Sequence, residues 1–416
     1  MSADCIGPPR SQPRLAASHR GGVGLGWSGA DFLPGNRIVL LESGAQYFPA
    51  LLAEIAAARC EIRLETYIYA DDPTGREVTA ALCAAARRGV AVQVLVDGFG
   101  AREFPGGLGR QLGEAGAQVQ IYRAERAFLR LRRHRLRRLH RKLVAVDDRV
   151  AFAGGINILD DNDTPGLGPR FDYAVRIEGP LVARIWTSMA HLWRLVGWAR
   201  LRRRPPVQTP SPCRFDQAAG AMTAALVIRD NLRHRRDIEN AYLEAIAGAR
   251  IEIVLANAYF LPGRRFRRAL RDAARRGVSV TVLLQGQMEY FLPHYATQAL
   301  YGNLIGSGIR ILEYRSGFLH AKVAVIDEAW ATVGSSNIDP FSLLLAREAN
   351  IVVRDALFAT GLRNSLNRAC RTDVREITRA DLQRSSLATR MLRWTAYGLL
   401  RLMLGLARYG GKDYRE

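Results

Sequence analysis

From His320 to Asp339 the chain reads HAKVAVIDEAWATVGSSNID, and from His140 to Asn157 it reads HRKLVAVDDRVAFAGGIN. Each stretch is two short apolar runs joined by an acidic turn, the pattern of a β-hairpin. Each opens on His-x-Lys. Side chains two apart on a strand share a face, so His140 and Lys142 point one way, as do His320 and Lys322. A single copy would read as the polar edge of a hairpin. Here there are two, each with Asp at the same offset (Asp147, Asp327) and a Gly-x-x-Asn run after it (Gly154 to Asn157, Gly334 to Asn337). Together they mark a site written twice.

The repetition extends outward. ARCEIRLETYIY from Ala58 and AARRGVAVQVLVDG from Ala85 match ARIEIVLANAYF from Ala249 and AARRGVSVTVLLQG from Ala273. Each set predicts a strand, a helix ending in Arg-Arg-Gly, and a second strand. Gly89 and Gly277 fall where a helix C-terminus takes a left-handed residue, and the arginines before them suit the negative end of the helix dipole. The copies lie roughly 180–190 residues apart, which is a duplicated domain and not a short-period solenoid. With 416 residues and 48% apolar content, the chain can bury two cores of ordinary size. The expected organisation is a disordered lead-in (1–36), a first domain (37–203), a Pro-rich linker (204–220), a second domain (221–370) and a C-terminal extension with an amphipathic membrane-surface helix (371–416).

The residues of the repeat suit phosphodiester exchange without a metal or other cofactor. An imidazole can attack phosphorus and carry the phosphoryl group, while a second imidazole protonates the leaving oxygen and later takes a proton from the incoming one. Lys142, Lys322, Asn157 and Asn337 can hold the non-bridging oxygens. Neither half has the full set, so the site is expected between the halves, with one His from each.

These motifs resemble the phospholipase D superfamily, whose signature is His-x-Lys-x4-Asp followed by Gly-Ser-x-Asn, usually twice. GNRIVLLESGAQYFPALLAEIAAARCEIRLETYIY, RFDYAVRIEGP, VIRDNLRHRRDIENAYLEAI and VGSSNIDPFSLLLAREANI are similar to its bacterial cardiolipin synthase branch, over about residues 35–370. The resemblance implies an α/β fold, two tandem phospholipase D-like domains with mixed sheets flanked by helices, packed about a pseudo-twofold axis. It implies a phosphatidyl-histidine intermediate, with His140, Lys142, Asp147, His320, Lys322 and Asp327 as the catalytic set. Asp172 and Glu348 occupy the places of acids that orient the opposite His, a role that suits a carboxylate on the far ring nitrogen. The first copy has Gly155 where the superfamily has Ser, a departure the branch shares, so Ser335 stands as a supporting hydroxyl without a counterpart.

A net charge of +21 attracts a polyanion, either anionic lipid or nucleic acid. Five cysteines without metal-ligand spacing read as reduced thiols. No apolar run reaches the ~18 residues of a spanning helix, and the N-terminal stretch lacks the apolar core of a secretion signal. Between Arg123 and Lys142 there are ten Arg/Lys and one Glu, threaded with Phe and Leu. That segment fits an anionic membrane surface. From Leu387, LATRMLRWTAYGLLRLMLGLARYGG predicts a helix with an arginine stripe, bordering aromatics and a broad apolar face, suited to a lipid interface or to packing on the body. The same two readings apply to the three tryptophans between Trp186 and Arg204. The expected protein is therefore peripheral on the cytoplasmic side of the bacterial inner membrane. The resemblance implies that it makes cardiolipin from phosphatidylglycerol, with phospholipids as partners. The alternative is a nucleic-acid phosphodiesterase with the same two histidines, disfavoured by the apolar tail and the branch matches. Oligomeric state, acceptor identity and which His attacks first are not written in the sequence.

Overall fold

A computed structural model of the protein describes residue 6 and residues 31–124, 137–162, 168–199, 217–371 and 373–406. The first half contributes β1 (Leu33–Glu42), β2 (Glu61–Thr66), β3 (Ala91–Asp97), β4 (Gln118–Tyr122), β5 (Lys142–Val146), β6 (Val150–Gly154), the short β7 (Gly168–Phe171) and β8 (Tyr173–Glu178). The second contributes β9 (Met222–Arg229), β10 (Glu252–Asn257), β11 (Ser279–Gln285), β12 (Arg310–Tyr314), the short β13 (Gly317–Leu319), β14 (Lys322–Ile326), β15 (Trp330–Gly334), β16 (Glu348–Arg354) and β17 (Val374–Ile377).

All but β7 and β13 join one mixed sheet. Outward from a central antiparallel pair of β1 and β9, the order is β1-β8-β6-β5-β2-β3-β4 on one side and β9-β16-β15-β14-β10-β11-β12-β17 on the other. Apart from the edge strand β17, which has no counterpart in the first half, the two runs have the same topology, so the duplication appears as a pseudo-twofold about the β1–β9 seam. In each half the βαβ part is parallel and the hairpin part antiparallel. The parallel strands need the crossover helices α2 (Pro73–Arg87) and α3 (Leu108–Glu114).

The hairpin strands are apolar throughout because both their faces are covered. Leu143 and Ala145 of β5 enter a core shared by the two halves, under α4 (Leu181–Ala199) and α10 (Ala356–Ala369). Val144 and Val146 enter the core beneath α1 (Ser43–Ala57) and α2. The second half has its own outer core beneath α5 (Asp237–Gly248) and α6 (Arg264–Arg275), around Tyr242 and Phe266. Further along lie α7 (Phe291–Gln298), α8 (Tyr301–Gly306), α9 (Pro340–Leu344), α11 (Arg379–Arg384) and α12 (Leu387–Leu406).

Several expectations are refined. Gly89 and Gly277 are left-handed, with φ of +91° and +88°. The second arginine of each pair caps a neighbouring helix instead of its own: Arg88 donates to Ile55 O (3.0 Å) and Ala56 O (3.1 Å), and Arg276 to Ile246 O (2.9 Å). Strand β1 starts at Leu33, inside the segment expected to be lead-in, because Leu33 already pairs with Ala224. Ile6 is buried in the shared core, with its N–H on Asn367 Oδ1. Trp186 and Trp193 of α4 are buried and only Trp198 faces out. Most of the basic insert (125–136) and most of the linker (204–216) lie outside the described residues.

Helix α12 packs against α7 through Ala396 and Leu400, both buried. Its arginines turn along the body: Arg393 donates to Gln298, and Arg401 lies over the Tyr397 ring. Leu387, Met391, Trp394, Leu402 and Met403 face outward, Leu387 at 75% exposure. A helix docked on a protein normally does the reverse. Among the described residues no helix is long and apolar enough to cross a membrane.

Asp147 and Asp327 sit in the hairpin turns, left-handed at φ +51° and +52°, each followed by another left-handed residue. Such a turn matches the twist of the flanking strands and tolerates Asp. The Asp147 carboxylate accepts from the N–H groups of Arg59, Cys60 and Glu61 at 2.6–2.9 Å. Asp327 does the same for Arg250, Ile251 and Glu252 at 2.8–2.9 Å. Both lie at the far end of a five-residue strand from their Lys, about 16 Å away at the usual strand rise. In this structure both carboxylates clamp the start of the neighbouring strand. Asp327→Ala orphans three N–H groups and is expected to cost about 3 kcal/mol. Urea unfolding should show that loss, while the folded variant keeps near wild-type kcat. A catalytic Asp would give the opposite pattern.

Candidate active site at the seam

Each hairpin brings its His to the mouth of the sheet, where the halves exchange backbone. Leu139 bridges Arg347 in parallel, with His140 N–H donating to Arg347 O (2.9 Å) and Arg347 N–H to Arg138 O (2.7 Å). In the symmetric place β13 pairs in parallel with β7, and His320 N–H donates to Phe171 O (2.8 Å). The residue after each partner carbonyl is an acid, Glu348 or Asp172. Each acid is thereby delivered to the histidine of the other half.

His140 Nδ1 lies 3.0 Å from Glu348 Oε2 and 3.1 Å from Ser335 O. Both are acceptors, so Nδ1 carries the ring proton and Nε2 is left with its lone pair. His320 Nδ1 lies 2.6 Å from Asp172 Oδ2, the same acid-to-ring contact as in the other half. Lys322, fully buried, reaches Asp172 Oδ2 (3.4 Å), the His320 carbonyl and the edge of the same Nδ1 (2.7 Å). Lys142 donates to His140 O (2.7 Å) and lies 5.5 Å from the Tyr67 ring, which also abuts His140. Between His140 and Lys142, Arg141 points to the other face and pairs with buried Glu65, pinning the strand mouth.

Burial sets the proton affinities. It is the largest influence on His320, which with help from Lys322 is pushed down to about 4. Burial also lowers His140, against the pull of Glu348. Lys142 is pushed down to about 7, chiefly by burial. Asp172 is raised by burial but carried below the ordinary carboxylate range by Lys322 and His320. Burial therefore opposes the protonated form of each imidazole, while its carboxylate partner favours it, and Asp172 is biased to its charged form.

The two copies differ in a compensating way. Ser335 Oγ donates to Glu348 Oε2 (2.6 Å) and accepts from Ala349 N–H, so the hydroxyl positions the acid and does not face a phosphate. At the matching Gly155, a Cβ would lie 2.3 Å from Asp172 Oδ1. The shorter acid must approach the strand more closely and fills the space a serine would need.

His140, His320, Asn157, Asn337 and Asp172 line one cavity of 1110 Å³. Asn157 Oδ1 accepts from Ile68 N–H, and buried Asn337 Oδ1 has no protein partner among the described residues. Lys142 and Lys322 lie just behind the histidines. The wall is not symmetric. Beside His140, Arg102 and Arg138 flank the Phe99 ring at 4.1 and 4.6 Å. Elsewhere Glu289 is held by Tyr259 (2.5 Å) and Arg170 (3.3 Å), and Asp161 is pushed up to about 6, first by burial. Leu159, Phe260, Leu261 and Leu400 of α12 supply apolar surface. Phe99, Arg102, Asp161 and Glu289 of this wall come from loops outside the repeat, and no pattern in the sequence singled them out. The arrangement offers an imidazole from each half, cations behind it, and an apolar stretch of wall beside them.

A family profile described as "Cardiolipin synthase, PLD-like domain" matches residues 51–193 and 242–370. The chain is 40% identical over 353 residues to cardiolipin synthase B of Escherichia coli (strain K12), covering 82% of each. It is 31% identical to cardiolipin synthase A of Proteus mirabilis (strain HI4320), covering 80% of this chain and 69% of the relative. Against the major cardiolipin synthase of Bacillus subtilis (strain 168) it is 30% identical, covering 80% and 68%. Among solved structures it is similar to the phosphatidylserine synthase of Haemophilus influenzae Rd KW20, with a TM-score of 0.67 over 92% of this chain and 97% of that one. At 13% identity that likeness concerns the fold alone.

Two outcomes are expected. Gly155→Ser drives a side chain into Asp172 and frees His320, lowering kcat on the order of 10²-fold or more. Ser335→Ala removes one hydrogen bond to Glu348 and costs tenfold or less, on the order of 1.4 kcal/mol. Separately, kcat/KM reports the free enzyme, so it should fall as pH rises through about 7, where Lys142 loses its proton. In Lys142→Arg the charge persists, and that limb of the profile should flatten even at a lower absolute rate.

Proposed function

The chain belongs to the cardiolipin synthase family of phospholipase D-like phosphatidyltransferases, and from that premise we propose how its own residues carry the transfer. One imidazole attacks the phosphorus of phosphatidylglycerol through Nε2. The bond from phosphorus to the glycerol oxygen breaks, and the other imidazole, entering the step in the protonated form that its carboxylate stabilises, gives that oxygen a proton, releasing glycerol. The terminal hydroxyl of a second phosphatidylglycerol then loses its proton to this imidazole and attacks phosphorus. The phosphorus–nitrogen bond breaks, leaving cardiolipin and the free enzyme. Two phosphatidylglycerols become one cardiolipin and one glycerol.

The observation that carries this reading is the crossed pair of contacts, Glu348 on His140 and Asp172 on His320. Each carboxylate stabilises the imidazolium or phosphoimidazole form of the ring it holds. Lys142 and Lys322, with Asn157 and Asn337, are assigned to the non-bridging oxygens. The uneven wall suits two lipids in different roles: Arg102 and Arg138 for the phosphate of the acceptor that does not react, Glu289 and Asp161 for glycerol hydroxyls. Water would convert the intermediate to phosphatidic acid, and an apolar, lipid-filled mouth disfavours it. The outward apolar face of α12 and the net charge of +21 support peripheral association with an anionic membrane, on the cytoplasmic side. A nucleic-acid substrate is not favoured, because the relatives that match most of the chain are cardiolipin synthases.

Purified protein given labelled phosphatidylglycerol should yield cardiolipin and glycerol, and His140→Ala and His320→Ala should each lower transfer by on the order of 10⁴-fold. Phosphatidic acid as the sole product, or substantial transfer by either variant, would refute the scheme. A labelled acid-labile adduct should survive in at most one of the two variants, which names the attacking histidine.

A further inference from the structure

A second cavity, of 440 Å³, lies where α12 meets α6, α8 and α11. Arg267 of α6 and Arg390 and Arg393 of α12 line it, with the Trp394 and Tyr397 rings. Among the described residues, no Asp or Glu does. The contacts recorded for these guanidinium groups are neutral: Arg267 donates to the Tyr397 hydroxyl (3.4 Å), and Arg393 to Gln298 Oε1 (2.9 Å) and Ser385 Oγ (3.2 Å). Asp381, nearby in sequence, is engaged by Arg375 and by Thr378 as a helix cap. Three cations thus border one concavity without a carboxylate. Arg393 also acts on His294, which burial and this charge hold below the usual imidazole range. Beside the arginines stand Met391 and Trp394, at 70% and 60% exposure, on the apolar outer face of α12.

We propose that this cavity binds a phosphate group of an anionic phospholipid, as a site separate from the one where phosphorus reacts. The guanidinium groups supply forked donors for phosphate oxygens. Trp394 and Met391 lie where acyl chains would continue from the headgroup, with an aromatic ring at the polar–apolar boundary. The site shares its supports with the reaction cavity: α12 gives Trp394 to one and Leu400 to the other, and α7 gives Gln298 to one and Thr297 to the other. Lipid bound here holds that wall against the membrane. The proposal does not depend on which reaction the histidines carry.

Vesicle flotation of the full-length protein tests it, comparing phosphatidylcholine vesicles with the same vesicles carrying a fixed fraction of phosphatidylserine. Arg390→Gln/Arg393→Gln should lower the phosphatidylserine-dependent partition about fivefold per arginine, and Arg267→Gln about fivefold alone. Arg265→Gln/Arg268→Gln, the same charge change on exposed α6 positions outside the cavity, should shift it less than about twofold. Unchanged partition in the cavity variants overturns the proposal, as does an equal loss in the control pair, which would mean diffuse charge. Inorganic phosphate separates the sources. If it raises the melting temperature of the wild type and not of the double variant, while vesicles fail to distinguish the two, the ligand is free phosphate and the lipid assignment falls. Wild-type melting temperatures of the variants without ligand exclude misfolding, and Arg267→Gln provides an independent reading if the double variant is unstable.

Discussion

The contact between a carboxylate of one half and the imidazole of the other is the constraint around which the molecule is arranged. Glu348 reaches His140 and Asp172 reaches His320, and in both cases the exchanged backbone pairing puts the acid one residue beyond the carbonyl that receives the histidine N–H. Lys142, Lys322, Asp172 and Glu348 are all buried. Charges taken out of water are costly unless paired, and removing one partner typically costs 3–5 kcal/mol because the other is stranded. Joining the halves and assembling the chemistry are therefore one event. A single half has a histidine with no acid, and an acid with no histidine.

Much of this was legible in the sequence because the chain says it twice. Alignment of the copies predicted the equivalent strands, the left-handed glycines and the pairing of His140 with His320. The letters of a motif are not all neighbours in space. Asp147 is five strand residues beyond Lys142, and counting the rise would already have put it out of reach of a shared phosphate. Ser335 lies next to the site yet turns to Glu348, a direction that no spacing reveals. Phe99, Arg102 and Glu289 lie on loops that do not repeat, and they had no internal copy to expose them. For α12 the helical period placed the arginines on one stripe. It could not say that this stripe would run along the body and leave leucine and tryptophan outside, because that depends on α7 and α6, elements far earlier in the chain.

The departures from symmetry matter as much as the symmetry. At phosphorus the two sides are nearly equivalent, one imidazole and one lysine each. Around it they diverge: Gly155 with Asp172 against Ser335 with Glu348, arginines by Phe99 in one place and a carboxylate held by Tyr259 in another. A reaction that runs forward and back through one phosphoenzyme needs matched acid and base. Two substrates in different roles need unmatched surroundings. Duplication followed by divergence of the loops meets both demands.

The strand ladder runs unbroken from β4 to β17, and α4 and α10 share a core beneath both halves. A clamshell that is welded along its spine cannot gape. With the halves fixed to each other in this way, the width of the cleft is set by the fold itself, and the two histidines keep their spacing whether or not a lipid lies between them.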